Sequence, residues 1–373
     1  MTAVDVAIIG GGFTGALVAW HLARQAPDAE IAVIEPRERL GAGLAYSTAD
    51  PSHRINVPAS RMTMRTDIRD DLHRWLEAGA VQLSEGTAGP DGALFPQRGI
   101  VADYVSDALR QDLTAGRIRH LRGHAVTLAR AAPAFRVTLQ DGSVVTTGQV
   151  VIATSHPPPA LPRHLAALRH DARLIADPSD ARAITAAAGT RRVLVLGNGL
   201  TSADVIASLD RQGFRGAILA LSRRGLRSRG HAFGCRESRT DFATNPAATA
   251  LGLLRRERAA VRVDTAAGLP WQAALDNVRR DGAAIWSALP LRERCRLVRR
   301  LRVWWDVHRF RIAPQVEEVL DRLIASGNLR IRAGRLDGIR PEEAGLIVSW
   351  ASCGHGARKE IFDRVYPDDR VCA

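Results

Sequence analysis

The chain has 373 residues, 46% hydrophobic and 24% charged, with a formal net charge of +13. That is too long for one ordinary core, so a globular chain of two or more domains is expected rather than a disordered or fibrous one. The charge does not by itself signal nucleic acid: Lys359 is the sole Lys, the arginines are spread along the chain, and no aromatic-interleaved basic motif accompanies them.

No apolar run is long enough to span a bilayer, and the first, Val4 to Ile9, lacks a basic flank. A cytoplasmic protein without nucleic-acid or membrane partners is therefore expected; nothing in the sequence sets an oligomeric state. The four cysteines (Cys235, Cys295, Cys353, Cys372) form no C-x-x-C pair and no metal-ligand spacing. Neither a redox-active disulfide nor a zinc site is expected, and no metal site is assigned.

The stretch from Val4 to Glu35 carries the first motif. An apolar, β-rich run feeds Gly10-Gly11-Gly12-Phe13-Thr14-Gly15, a helix-like run follows to about Arg24, and Ile31 to Glu35 resumes as a strand. In this pattern Gly10 allows the tight turn, Gly12 admits a pyrophosphate to the backbone, and Gly15 permits close helix–strand packing. The helix points its N-terminal amides at the phosphates. Glu35 ends the second strand twenty residues after Gly15, where a carboxylate can accept from both ribose hydroxyls and would repel a 2′-phosphate. An unphosphorylated adenosine is expected here, of NAD or FAD; the motif does not choose between them.

A long segment without helical or strand period follows, from Gly41 through Tyr46 to Asn56, Pro58 and Ala59. Its apolar residues argue against disorder; a loop wrapped along a bound cofactor fits, with a surface loop of packed side chains as the alternative. Helices are predicted over Asp70–Ala78 and Val101–Ala115. Short antiparallel strands are predicted at His124–Leu128, Phe135–Leu139 and Val144–Val145, with Asp141-Gly142 as a hairpin turn. Val150–Thr154 reads as a buried strand that ends at Pro157-Pro158-Pro159, a domain exit.

A second nucleotide-binding pattern begins at Arg191. Val193–Gly197 reads as a buried strand, Asn198-Gly199-Leu200-Thr201-Ser202 as the turn, then come a helix to about Gln212 and a strand over Ala217–Ser222. Ser202 stands where a third glycine would be. No acid closes this second strand; Arg223 and Arg224 do, as recognition of a 2′-phosphate requires. Acid at the first site and arginines at the second is the most informative contrast in the chain.

Residues 226–270 read as loop-rich. Helices are predicted over Trp271–Arg280, Ala283–Ala288, Arg292–Phe310 and Pro314–Ser326. The third carries Leu297, Leu301, Trp304, Trp305 and His308 as an apolar face, with His308 a structural residue. Leu329–Ala333 and Leu346–Trp350 read as further strands.

With both patterns placed, the chain resembles two-dinucleotide-binding-domain flavoproteins, and more narrowly the bacterial FAD/NAD(P)-binding proteins with urate hydroxylase-like and amino acid N-monooxygenase-like members. The resemblance rests on Gly10–Gly15, Gly41–Tyr46, Asn56–Ala59, Ile152–Thr154, Gly197–Asp204, Ser222–Gly225 with His231, and Trp304–Arg309 with Ile312–Pro314. It implies an α/β chain of two Rossmann-like folds, the second inserted in the first, with a small antiparallel β meander and a helical segment. Residues 1–160 would bind FAD, with 331–373 as a shortened return segment, and 161–330 would bind NAD(P)H. Ser349 to Ala373 departs from the family's pattern for that return. The resemblance also implies cofactor contacts at Phe13, Thr14, Tyr46, Asn56, Val126 and Thr154, beside Gly10, Gly12, Gly15 and Glu35 in the first fold. In the second they would be Gly197, Gly199, Thr201, Ser202, Arg223 and Arg224.

The activity implied is that of an FAD-dependent, NADPH-using monooxygenase hydroxylating a small nitrogen-containing metabolite. The flavin would supply the hard chemistry, and the sequence offers no G-x-S-x-G elbow or H-E-x-x-H, so no catalytic residue is assigned. The alternatives are a flavin-dependent reductase serving another electron acceptor, and a catalytically silent nucleotide-binding protein.

Overall fold

The computed structural model describes residues 2–79, 81–156, 161, 163–175, 177, 181–234, 237–352 and 356–367. Cys235, Cys353, Cys372 and the prolines at 157–159 lie outside them, while Cys295 is exposed and unpaired. The chain divides into two units, Met1–Thr87 with Ala93–Pro158, and Ala88–Gly92 with Pro159–Ala373. No helix among the described residues is long and apolar enough to cross a membrane.

The first unit runs β1 (Thr2–Ile9), α1 (Phe13–Gln25), β2 (Ile31–Ile34), α2 (Gly43–Tyr46), α3 (Asp71–Glu77), α4 (Arg98–Thr114), β3 (Ile118–Leu121), β4 (Ala125–Ala131), β5 (Ala134–Leu139) and β6 (Val144–Ile152). Its sheet has the order β3-β2-β1-β6-β5-β4. β3, β2, β1 and β6 are parallel, while β5 and β4 add antiparallel as a meander. β1 and β2 lie inside the sheet, which is why both read as unbroken apolar runs. One face packs Ile8, Ile31 and Val33 against Ala16, Ala19 and Ala23 of α1 and Val101, Val105 and Leu109 of α4. Alanines on α1 keep helix and sheet close. β6 is one continuous strand, where the sequence pattern suggested two short ones: Thr146 to Gln149 are polar, yet their backbones stay paired with β1.

The second unit runs α5 (Ala181–Ala187), β7 (Arg192–Leu196), α6 (Leu200–Arg211), β8 (Ala217–Ser222), α7 (Ala250–Ala266), α8 (Trp271–Arg280), α9 (Gly282–Ala288), α10 (Leu291–Arg309), α11 (Pro314–Ala325), β9 (Leu329–Ala333), β10 (Arg335–Glu342), β11 (Gly345–Ala351), β12 (Ala357–Phe362) and β13 (Arg364–Tyr366). A parallel sheet of order β13-β7-β8-β9 lies at its centre, with β10, β11 and β12 forming a separate antiparallel sheet. Leu194, Leu196, Leu219 and Leu221 share a core with Leu346, Val348, Trp350 and Phe362 of the antiparallel sheet. Ala220 and Ile331 are directed the other way, toward Ile206 of α6 and Leu320 of α11.

Three expectations are corrected here. Residues 331–373 were expected to return to the first domain; instead β9 pairs with β8 and β13 with β7, both in the second unit. The Asp363 carboxylate fixes that register by accepting from the Arg191 and Arg192 backbone N–H groups at 2.8 and 2.7 Å. Residues 226–270 are not all loop, since α7 fills 250–266. Thr249 caps it by accepting from the Gly252 N–H at 3.0 Å. Its buried face is Ala250, Leu253, Ala260 and Asp264, too small and polar to show as an apolar stripe. Finally, Trp304 is not core: it is 44% exposed, whereas Leu297 does pack against the helical core.

Candidate functional site

In the first unit β1 ends in a turn that only glycine can make. Gly10 has φ +101°, and a Cβ there would stand 2.5 Å from the Ala153 carbonyl oxygen. Gly12 is extended and precedes α1 with no side-chain cap. The first-turn amides of Phe13, Thr14 and Gly15 therefore present donors and the positive helix end to an anion. A Cβ on Gly15 would stand 1.9 Å from the Gly10 oxygen, so the helix approaches the turn as closely as backbone allows.

Glu35 closes β2, its N–H bonded to the Leu121 oxygen at 3.1 Å and its own oxygen to His120 Nε2 at 3.0 Å. The carboxylate is buried, with the residue 3% exposed. Its Oε2 accepts from the Gly11 N–H at 2.8 Å; its Oε1 accepts from the Arg37 N–H at 3.1 Å and from Arg37 Nη1 at 2.9 Å. Three charge-assisted bonds offset its desolvation. Of roughly four acceptor positions on a carboxylate, about one is left for a ribose hydroxyl, where the sequence reading allowed two.

The segment after Glu35 lies on this turn. The Gly41 N–H donates to the Gly11 oxygen at 2.8 Å, and a Cβ on Gly43 would come within 2.9 Å of Gly12 Cα. The Tyr46 ring stands 5.6 Å from that of Phe13, tilted by 57°. Burial pushes the Tyr46 phenol up, the Arg98 charge opposing it, so at neutral pH it remains a hydrogen-bond donor. Thr154 is exposed just past Ala153, its nitrogen against Gly10. Asn56 is half-buried on a stretch pinned by Ile55 N–H to the Pro96 oxygen and Ala59 N–H to the Leu94 oxygen. Val126 occupies the register shift between Ala125 and Thr127 on β4 and is 56% exposed.

The second unit repeats the geometry with other residues. Gly197 has φ +112° and its N–H donates to the Leu221 oxygen at 2.8 Å. Gly199 is extended before α6, again without a side-chain cap, and a Cβ there would meet nothing within 4 Å. Thr201 is half-buried in the first turn. Ser202, 3% exposed, is directed into the interior on the inner face of α6. Arg223 and Arg224 follow β8, both exposed and without an ion-pair partner among the described residues.

Two contributors escaped the sequence reading. Arg37 clamps Glu35, and its only signal was its place two residues on. Asn198, between the two glycines, donates from Nδ2 to Ser222 Oγ at 2.8 Å, which also accepts from the Gly225 N–H at 3.1 Å. Nothing in the sequence marked that link.

Residues 7–157 match the family model described as FAD-NAD(P)-binding, so the first unit is an FAD/NAD(P)-binding domain. Comparison with curated proteins gives no match. Among solved structures, the reduced form of ornithine hydroxylase from Pseudomonas aeruginosa is 15% identical, with 98% of this chain and 81% of that chain covered at a TM-score of 0.58. L-lysine 6-monooxygenase from Pseudomonas syringae is 17% identical, with 98% and 80% covered, also at 0.58. Bacillithiol disulfide reductase from Staphylococcus aureus is 10% identical, with 98% and 76% covered at 0.54. The shared feature is the fold.

Proposed function

We propose that this chain is an FAD-dependent, NADPH-using oxidoreductase, and within that class a cytoplasmic monooxygenase that hydroxylates a small nitrogen-containing metabolite. The observation that carries the reading is the pair of glycine turns with opposite charges at their ribose ends: the buried Glu35 in one, the exposed Arg223 and Arg224 in the other. In the first, the amides opening α1 hold a pyrophosphate, Glu35 takes a ribose hydroxyl, and the Gly41–Tyr46 segment lies beside the cofactor. In the second, the amides opening α6 hold the pyrophosphate of the nicotinamide dinucleotide, and the two arginines take its 2′-phosphate. Bound FAD would supply hydride acceptance and oxygen activation. The chain's own residues bind and orient. The substrate class follows from the family resemblance and is in line with the ornithine and lysine hydroxylating enzymes among the similar folds.

The test is direct. Purified protein should show the absorbance bands of oxidised flavin, lose them on anaerobic NADPH addition and recover them with oxygen. With ornithine or lysine as probe amines, NADPH consumption should yield a hydroxylated amine. A protein that neither carries nor takes up FAD overturns the reading. NADPH oxidation that feeds artificial acceptors and yields no hydroxylated product assigns the chain to electron transfer instead.

A further inference from the structure

The arginines proposed to select NADPH sit on a turn held by side-chain contacts on both sides of them. Ser222 precedes them, and its Oγ accepts from Asn198 Nδ2 at 2.8 Å and from the Gly225 N–H at 3.1 Å. Gly225 follows at φ +62°, where a Cβ would stand 2.8 Å from the Ala333 nitrogen of β9. Two residues on, Arg227 Nη2 is tied to Asp321 Oδ1 of α11 at 2.5 Å. Asn198 in turn belongs to the Gly197–Gly199 turn, so one side-chain amide joins the pyrophosphate end of the fold to its ribose end.

The other arm of that amide is turned inward. Asn198 is 9% exposed, and its Oδ1 has no hydrogen-bond partner among the described residues. The same holds for Ser202 Oγ and Arg227 Nη1, and all three residues line one pocket between α6, the sheet and α11. The pocket's volume is ≈ 10 Å³, about one water and too small for a phosphate. Its lining supplies a donor on Arg227, an acceptor on Asn198 and a hydroxyl that can serve as either, enough partners for a bound water. Orphaned polar atoms left dry are costly, so a water fits the chemistry of the wall.

We propose that Asn198 is a specificity-determining positioning residue. Through Ser222, and through one water shared with Ser202 and Arg227, it holds the Arg223–Arg224 turn at the distance from the glycine turn that a 2′-phosphorylated dinucleotide requires. Asn198 touches neither phosphate; it acts through the arginines. The inference rests on the second fold being the NADPH site.

Steady-state flavin reduction with NADPH and NADH on the FAD-loaded protein tests it. Asn198→Ala, which removes the bond to Ser222, and Ser222→Ala, which removes that bond and the one from the Gly225 N–H, should each lower the ratio of kcat/KM for NADPH over NADH by roughly three- to ten-fold. The change should fall in KM for NADPH, with kcat and the NADH parameters held. The double variant should lower the ratio no further than Ser222→Ala alone, since that single already cuts the Asn198–Ser222 link. If the two dinucleotides lose equally in both variants, Asn198 is merely structural and the inference is overturned. The same follows if the ratio is unmoved while Arg223→Ala with Arg224→Ala abolishes it. If wild type shows no preference and the arginine variants change nothing, the reading of the NADPH site fails instead. Thermal unfolding of each variant separates loss of fold from loss of selectivity.

Discussion

The two glycine turns solve one geometric problem with different tolerances. Both begin on a buried parallel strand, pass a glycine near φ +100° and enter an uncapped helix in extended conformation. In the first, every position is crowded: Gly10 by Ala153, Gly12 by Gly43, Gly15 by the Gly10 oxygen. In the second, Gly199 stands in open space and a serine takes the third glycine's place. The charged groups differ likewise, a buried and triply bonded carboxylate against two exposed arginines. A crowded, internally satisfied site suits a cofactor that stays, and an open one with exposed charge suits a cofactor that exchanges.

The comparison breaks most visibly at the third glycine. Gly15→Ala puts a methyl 1.9 Å from a backbone oxygen that no rotamer can move. A loss of about 3 kcal/mol or more in stability of the first unit is expected, with flavin content falling alongside. Ser202→Gly, the equivalent exchange in reverse, should cost about 1 kcal/mol or less. Flavin-to-protein absorbance ratios and thermal unfolding of the two variants compare them. Equal losses would mean that the crowding at Gly15 is not what distinguishes the turns.

That crowding was legible in the sequence only as spacing. The glycines, Glu35, and the strands and helices around them follow from apolar runs and from the residues that break them, because both strands are buried on two faces. The link from Asn198 to Ser222 was not legible, because it joins residues 24 apart whose side chains carry no motif. Nor was Arg37 on Glu35, since one arginine among 51 is indistinguishable by type. β12, with Arg358, Lys359 and Glu360 in succession, shows no alternation, and β13 is three residues long, so the tail's place on the second sheet had no local signal. Tertiary pairing decided both.

Next in size is Glu35→Gln. The amide cannot accept at both ends, so the Gly11 N–H or Arg37 loses its partner. Weaker FAD binding by about 1–3 kcal/mol is expected. Flavin titration of apoprotein measures it, and unchanged affinity would remove Glu35 from the site. The arginine pair should behave in the opposite way. Because Arg223 and Arg224 are exposed and without ion-pair partners among the described residues, their joint replacement by Ala should leave the unfolding midpoint alone. It should cost NADPH about ten-fold in kcat/KM, roughly 1.4 kcal/mol, and NADH nothing. A variant that loses both dinucleotides alike would make the pair structural.

The smallest expected effect concerns how each unit treats a buried acid. Glu35 has three donors; Glu317, half-buried on α11, is matched less well. Burial, then repulsion from Asp321, push the Glu317 carboxyl above its usual value. Arg227, the Gly230 N–H and Arg229 pull the other way without cancelling the rise. An acid whose folded value is raised favours the folded state below its unfolded value, and that contribution is lost as pH rises through the folded one. Glu317→Gln should therefore raise the unfolding midpoint of the second unit at pH 7 to 8 by about 1–3 °C. The gain should vanish near pH 4, where wild type is protonated too. The glutamine oxygen can still accept from the Gly230 N–H, so the exchange removes the charge and keeps the bond. Midpoints measured from pH 4 to pH 8 decide it: a midpoint that falls at pH 8 on substitution would mean that Arg227 and Arg229 compensate Glu317 as fully as Arg37 and Gly11 compensate Glu35.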